Sequence, residues 1–218
     1  MTVIRIPAEK MDQVLRSVPG LRVLIPTGAG RKGGYAELGP KVKLPAECGD
    51  HTKPSSPPKG KVFPNNETLL SYSLGVKGEI AVEGADQSMG RTILYGTPPC
   101  DTASFHVLDS ALLKDMAEPG YAKKRDSFGV IGMACSRQGR WCLCTSVGLS
   151  PRSTQGADLM VFPDGAHIYV EKVTGRLDDI WNELERGAAK VTNDAFEAAS
   201  KKYDFKVENF SFNADALA

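Results

Sequence analysis

Four of the chain's five cysteines, Cys100, Cys135, Cys142 and Cys144, follow the pattern C-x34-C-x6-C-x-C, with three thiols inside ten residues. Four thiolates can neutralise a compact cationic core, so the set suits an iron–sulfur cube or a structural zinc ion. The flanks are Gly96-Thr97-Pro98-Pro99-Cys100-Asp101 and Gly132-Met133-Ala134-Cys135-Ser136. Such segments turn tightly and can direct backbone N–H groups at an anionic cluster. A lone cysteine more often packs as a small apolar side chain. Four so placed favour a shared site.

The spacing narrows the chemistry. In extended backbone, Cys142-Leu143-Cys144 puts both sulfurs on one side, with α-carbons roughly 6.6–6.8 Å apart. That separation serves two metals of one cluster, or one metal after a local turn. Zinc ribbons use C-x2-C pairs, which this chain lacks. The run C-x2-C-x2-C-x3-C-P of bacterial ferredoxins is also missing. A third reading is a thiol enzyme, with Cys144 or Cys100 as nucleophile beside Thr145, Ser146 or His106.

Other constellations are weaker. Gly28-Ala29-Gly30-Arg31-Lys32-Gly33 matches G-x-G-x-x-G after an apolar strand. No sustained helix follows, so a hairpin tip fits better than a dinucleotide site. Cys48 and His51 beside a Pro-rich loop form at most half a metal site, and Cys48 is expected outside the cluster. No H-E-x-x-H, G-x-S-x-G or P-loop pattern occurs.

The elements that must position the thiols alternate along the chain. Val3–Ile6 reads as a strand, 8–18 as a helix, and 22–26 as a strand with a hairpin partner at 35–38. Residues 49–61 are rich in breakers and read as an extended loop. The runs 92–95 and 128–131 end at glycine and resemble buried strands that deliver Cys100 and Cys135 to one rim. A crossover helix over 101–116 would make them parallel neighbours. Asp158–Phe162 and His167–Val173 form a hairpin. The expected fold class is α/β (α+β), a mixed sheet with flanking helices and cysteine-bearing loops at the strand ends.

Two parts are expected, a cluster-binding domain over 1–175 and a C-terminal helix and tail over 176–218. Apolar residues from Leu177 to Tyr203 recur at helical steps, with Gly187 able to kink or divide the helix. Docked on its own domain it is ordinary; with the aromatics Phe205, Phe210 and Phe212 it becomes a candidate arm for a partner. Around the thiols, Trp141, Leu143 and Val147 are expected to shield, and the Gly132–Ala134 and Gly148 backbone to donate N–H bonds. Arg137 and Arg140 are expected at the rim.

Residues about 60–175 resemble the N-terminal domain of the anaerobic sulfite reductase A subunit and the related sulfhydrogenase beta subunits. The resemblance is carried by Lys61-Val62-Phe63-Pro64-Asn65-Asn66-Glu67-Thr68-Leu69-Leu70, Tyr95-Gly96-Thr97-Pro98-Pro99-Cys100-Asp101 and Ile131-Gly132-Met133-Ala134-Cys135. It continues through Cys142-Leu143-Cys144-Thr145-Ser146-Val147-Gly148 and Gly156-Ala157-Asp158-Leu159. It implies one 4Fe-4S cluster on the four cysteines and electron transport between a flavoprotein or ferredoxin-type partner and a catalytic subunit. That family continues into a ferredoxin module with two cysteine-rich runs, whereas no cysteine follows Cys144 here. The resemblance thus implies a one-cluster, non-catalytic subunit of an anaerobic oxidoreductase complex.

Charge and composition set the outer limits. The 27 basic and 26 acidic residues nearly cancel, which gives no basic face for nucleic acid. No apolar run approaches the ~20 residues of a membrane span, and the first residues lack a signal peptide's apolar stretch. Cysteines without an export signal belong in a reducing compartment, so a cytoplasmic protein is expected.

Overall fold

The computed structural model describes residues 2–28, 33–49, 52–76, 78–139 and 142–205. The chain opens with β1 (Thr2–Pro7) and α1 (Ala8–Ser17). Met11, Val14 and Leu15 recur at three- and four-residue steps on α1, and all three are buried. The hairpin β2 (Arg22–Thr27) and β3 (Gly34–Glu37) is antiparallel, with Thr27 opposite Gly34. The G-x-G-x-x-G segment therefore joins two strands and opens no helix.

The central pair is β7 (Thr92–Thr97) and β8 (Phe128–Met133), every residue of which is buried. They run parallel, with α2 (Pro99–Leu112) and α3 (Pro119–Asp126) between them in the chain. Burial on both faces explains their continuous apolar character, since parallel strands are covered on both sides by crossover helices. The hairpin β10 (Leu159–Asp164) and β11 (His167–Lys172) completes the middle of the sheet, with β10 parallel to β8. Eight strands follow the order β12-β1-β11-β10-β8-β7-β2-β3, where β12 is Ala189–Lys190. This is the mixed sheet with flanking helices that the sequence predicts.

Two packed layers hold the sheet. Ile4, Ile93, Ile131, Leu159 and Val161 meet Met11 and Leu15 of α1 on one face. Leu94, Phe128 and Val130 meet Phe105 of α2 and Tyr121 of α3 on the other. The alternation along β7 and β8 sorts these side chains to their faces.

The C-terminal segment departs from a single helix. It is α4 (Asp178–Glu185), then β12, then α5 (Asn193–Ser200). Gly187 sits at φ +69°, a conformation that ends the helix and that other residues rarely adopt. Leu177, Ile180, Trp181 and Leu184 join the main core, and β12 pairs with β1 at the sheet edge. Phe196 and Tyr203 pack on Phe162, with ring centroids 4.9 Å and 5.9 Å away. Residues 177–203 are thus packed along their length on the sheet of residues 2–172. Phe210 and Phe212 lie outside the described residues.

One element stands apart. The ribbon β5 (Leu70–Leu74) and β6 (Ile80–Gly84) pairs only with itself, and all ten residues are exposed. Leu70, Tyr72, Leu74, Ile80 and Val82 share one side of it, while Ser71, Ser73, Ala81 and Glu83 share the other.

Candidate cysteine site

β7 ends with an irregularity in its register against β8 between Tyr95 and Thr97. Gly96 makes it, at φ +80°, with Pro45 so close that an added Cβ would stand 3.3 Å from its ring. The kink leads to Pro98-Pro99, and proline suits the first position of a helix, where no N–H bond is lost. Cys100 then falls in the first turn of α2, where helix-dipole charge favours a thiolate. Cys135 begins the short strand β9 (Cys135–Arg137) directly after β8, and its N–H donates to the Pro151 carbonyl at 2.8 Å. Both cysteines therefore stand at the carboxyl ends of neighbouring parallel strands.

Cys142 and Cys144 arrive from the loop that follows. Leu143 has φ −138° and ψ +19°, and Cys144 heads a 3₁₀ turn over Cys144–Val147. The local turn replaces the extended backbone assumed in the spacing argument. Cys142 Sγ accepts an N–H bond from Gly139 at 3.1 Å.

All four thiols line one cavity of about 620 Å³. Its walls include Pro98 and Pro99, Gln138, Leu143, Val147, Leu149, Pro151, Phe205 and the loop residues Gly49, Lys53 and Pro54. Leu143 and Val147 are there as expected, both largely exposed. Trp141 and Arg140 lie outside the described residues. Arg137 does not face the cavity wall; its carbonyl accepts from Cys135 Sγ at 3.4 Å, and its residue pairs with Gly49 of β4 (Cys48–Gly49). The expected N–H donors are also corrected. The Ala134 N–H is spent on Val161, and the Gly148 N–H on Thr145, so neither is free for sulfur.

Lys53 is the cation at the site. Its Nζ donates to Cys100 Sγ at 3.4 Å and pairs with Asp101 Oδ1 at 3.1 Å. Burial works against its charge, but Asp101 and Cys100 outweigh that and hold its pKa above the ordinary lysine value. The sequence gives no sign of this lysine, which sits in the breaker-rich loop with no periodic pattern around it.

Burial is the largest influence on the thiols. It raises Cys135 to about 11, with a backbone hydrogen bond from Arg137 opposing and Cys100, Cys142 and Cys144 adding to the rise. It also raises Cys100, against the pull of Lys53, and Cys144. Cys100 is exposed by surface area, yet its sulfur opens into a concave space crowded by protein, which is why burial still matters. A catalytic thiol needs the opposite shift. His106 is no helper either: it lines a separate cavity of about 570 Å³ with Asp109, Arg125, Asp158 and Arg176. Those charges neutralise one another, with Arg125 on Asp109 at 3.0 Å and Arg176 on Asp158 at 3.6 Å.

Among the described residues no three of His, Cys, Asp and Glu gather closely enough to hold one metal ion. Four sulfurs around a single zinc at ~2.3 Å must lie within ~4 Å of one another. A cubane asks less convergence, because each thiolate binds a different iron. Four cysteines on the wall of a roomy cavity, one with a backbone N–H donor, have the donor chemistry a cubane takes, whereas no preformed single-metal site is present among the described residues. Cys48 stays out of the cavity wall, buried in the main core at 1 % exposure.

None of the family models, curated proteins or solved structures compared with the chain matches it. The resemblance seen in the motifs rests on those residues alone. No helix among the described residues is long and apolar enough to cross a membrane.

Proposed function

We propose that this chain is an electron-transfer subunit of an anaerobic cytoplasmic redox complex, carrying one 4Fe-4S cluster on Cys100, Cys135, Cys142 and Cys144. The observation that carries the reading is the meeting of four thiols, from three separated chain segments, on the wall of one cavity. A bound cluster there supplies storage for a single electron. The chain's own residues supply four thiolates, the Gly139 N–H, the Lys53 charge and a partly apolar wall of Leu143, Val147 and Phe205. Cys100 is exposed, which gives a flavoprotein or ferredoxin-type donor and a catalytic acceptor a surface to approach. Burial shifts the Cys100 and Cys144 thiols upward, away from the lowered pKa of an activated nucleophile, which favours a carrier over a thiol enzyme.

The test is anaerobic reconstitution of the whole chain with iron and sulfide. The expected result is a brown protein with about four irons and four sulfides per chain, giving a paramagnetic signal on one-electron reduction. A colourless protein holding one zinc per chain would overturn the reading.

A further inference from the structure

Below Cys100 a line of polar groups runs from the core to the cavity. Cys100 Sγ accepts from Lys53, and Lys53 is anchored on Asp101 Oδ1. Asp101 Oδ2, Tyr35 Oη and Thr97 Oγ1 are buried and face one another, with no other partner and with Tyr35 within hydrogen-bonding reach of both Asp101 and Thr97. These residues are 9 %, 7 % and 0 % exposed. Buried polar atoms are costly unless they partner one another, so these three are interdependent in position. What the group holds is the carboxylate under Lys53. Asp101 is tied to the sheet end by α2's first turn, where its N–H donates to Pro98 at 2.9 Å.

Lys53 enters between Thr52, whose hydroxyl is hydrogen-bonded to the Gly49 backbone at 3.0 Å, and Pro54, which sits in an isolated β-bridge and also lines the cavity. We propose that Lys53, anchored by Asp101, is a positioning residue: it clamps its loop to Cys100 and offsets the negative charge of a thiolate-bound centre in the cavity. The clamp needs only the geometry on the page. The charge role rests on the electron-carrier reading. A positive charge beside a centre favours its reduced, more negative form, so removing it lowers the midpoint potential.

The two roles separate by experiment. In metal-free protein, hydrogen exchange over 52–56 and 98–104 should rise in Lys53→Met relative to wild type; unchanged exchange overturns the clamp. In anaerobically loaded protein, Lys53→Gln should keep its iron and sulfide. Its reduced-to-oxidised ratio at the wild-type midpoint should fall about tenfold, a drop of about 59 mV for one electron, while Lys53→Arg stays within about threefold. An unchanged midpoint in loaded Lys53→Gln overturns the charge role. If Lys53→Gln and Lys53→Met lose the centre and Lys53→Arg keeps it, the charge role stands; loss in all three overturns it. A wild-type chain that takes up no iron sinks the electron-carrier reading and the charge role with it, while the exchange result still decides the clamp.

Discussion

Cys48 and Cys135 are register partners in the short parallel bridge of β4 and β9, yet their thiols have different surroundings. Cys48 is sealed among apolar side chains, whereas Cys135 lines the cavity. Adjacency in the backbone therefore does not bring Cys48 to the cavity wall. The expected outcome for Cys48→Ser is full iron content with a stability loss of about 1–3 kcal/mol, because a hydroxyl replaces a core thiol. Cys135→Ser should lose or convert the cluster. Iron analysis and urea unfolding on both variants check this pair.

The packed C-terminal segment changes what truncation should do. An arm could be removed with the cluster left in place. Residues 177–203 instead bury Leu177, Ile180, Trp181 and Leu184 and supply the sheet's edge strand. Deleting 177–218 should expose that core and yield an unfolded or aggregated chain. Ile180→Ala alone should cost about 2–5 kcal/mol in urea unfolding. A soluble, cooperatively folding 1–176 fragment would contradict the packing described.

The exposed ribbon makes the opposite expectation. Its apolar side carries Leu70 at 57 % and Tyr72 at 68 % exposure, so it contributes little to the domain's own core. Tyr72→Thr and Val82→Thr should shift unfolding of the isolated chain by no more than about 0.5 kcal/mol, as surface substitutions do. A loss well above that would mean the ribbon packs on the domain.

Glu171, on β11, has its pKa raised from the usual value of 4.5, first by burial, with Arg152 opposing. The folded state thus holds this proton more tightly than the unfolded chain does. Its contribution to stability is complete below the unfolded pKa and is lost as pH rises through the folded one. Glu171→Gln should match wild type at low pH and become the more stable of the two towards neutrality. Urea midpoints of both proteins across pH 4–7 check it; equal midpoints throughout would remove burial of Glu171 as a cost.

Much of the fold was legible because local pattern and final environment agree. The apolar runs at 92–95 and 128–131 are buried on both faces, and Pro163-Asp164-Gly165-Ala166 punctuates a true hairpin. The C-terminal helix was overextended because Ala188, Val191 and Ala195 keep a three- and four-residue step across Gly187. The two residues of β12 are strand only because β1 offers an open edge, which no local pattern announces. Leu70-Ser71-Tyr72-Ser73-Leu74 does alternate as a strand should, yet among the described residues its apolar side stays exposed. The four thiols were legible from spacing and turn residues. Lys53 was not, since the loop that carries it is placed by tertiary contacts with Cys100 and Asp101.

The position of β1 has a consequence for how the protein is made. It comes before the other described strands in the chain, and its neighbours are β11 and β12. Neither exists until residues 167–172 and 189–190 have been added. The segment carrying Cys100 to Cys144 is complete well before that, beside strands that are already neighbours. The pairings of β1 can therefore form only after the cysteine-bearing segment has been made. Long-range pairings of this kind fold slowly and leave unpaired edges exposed in the meantime.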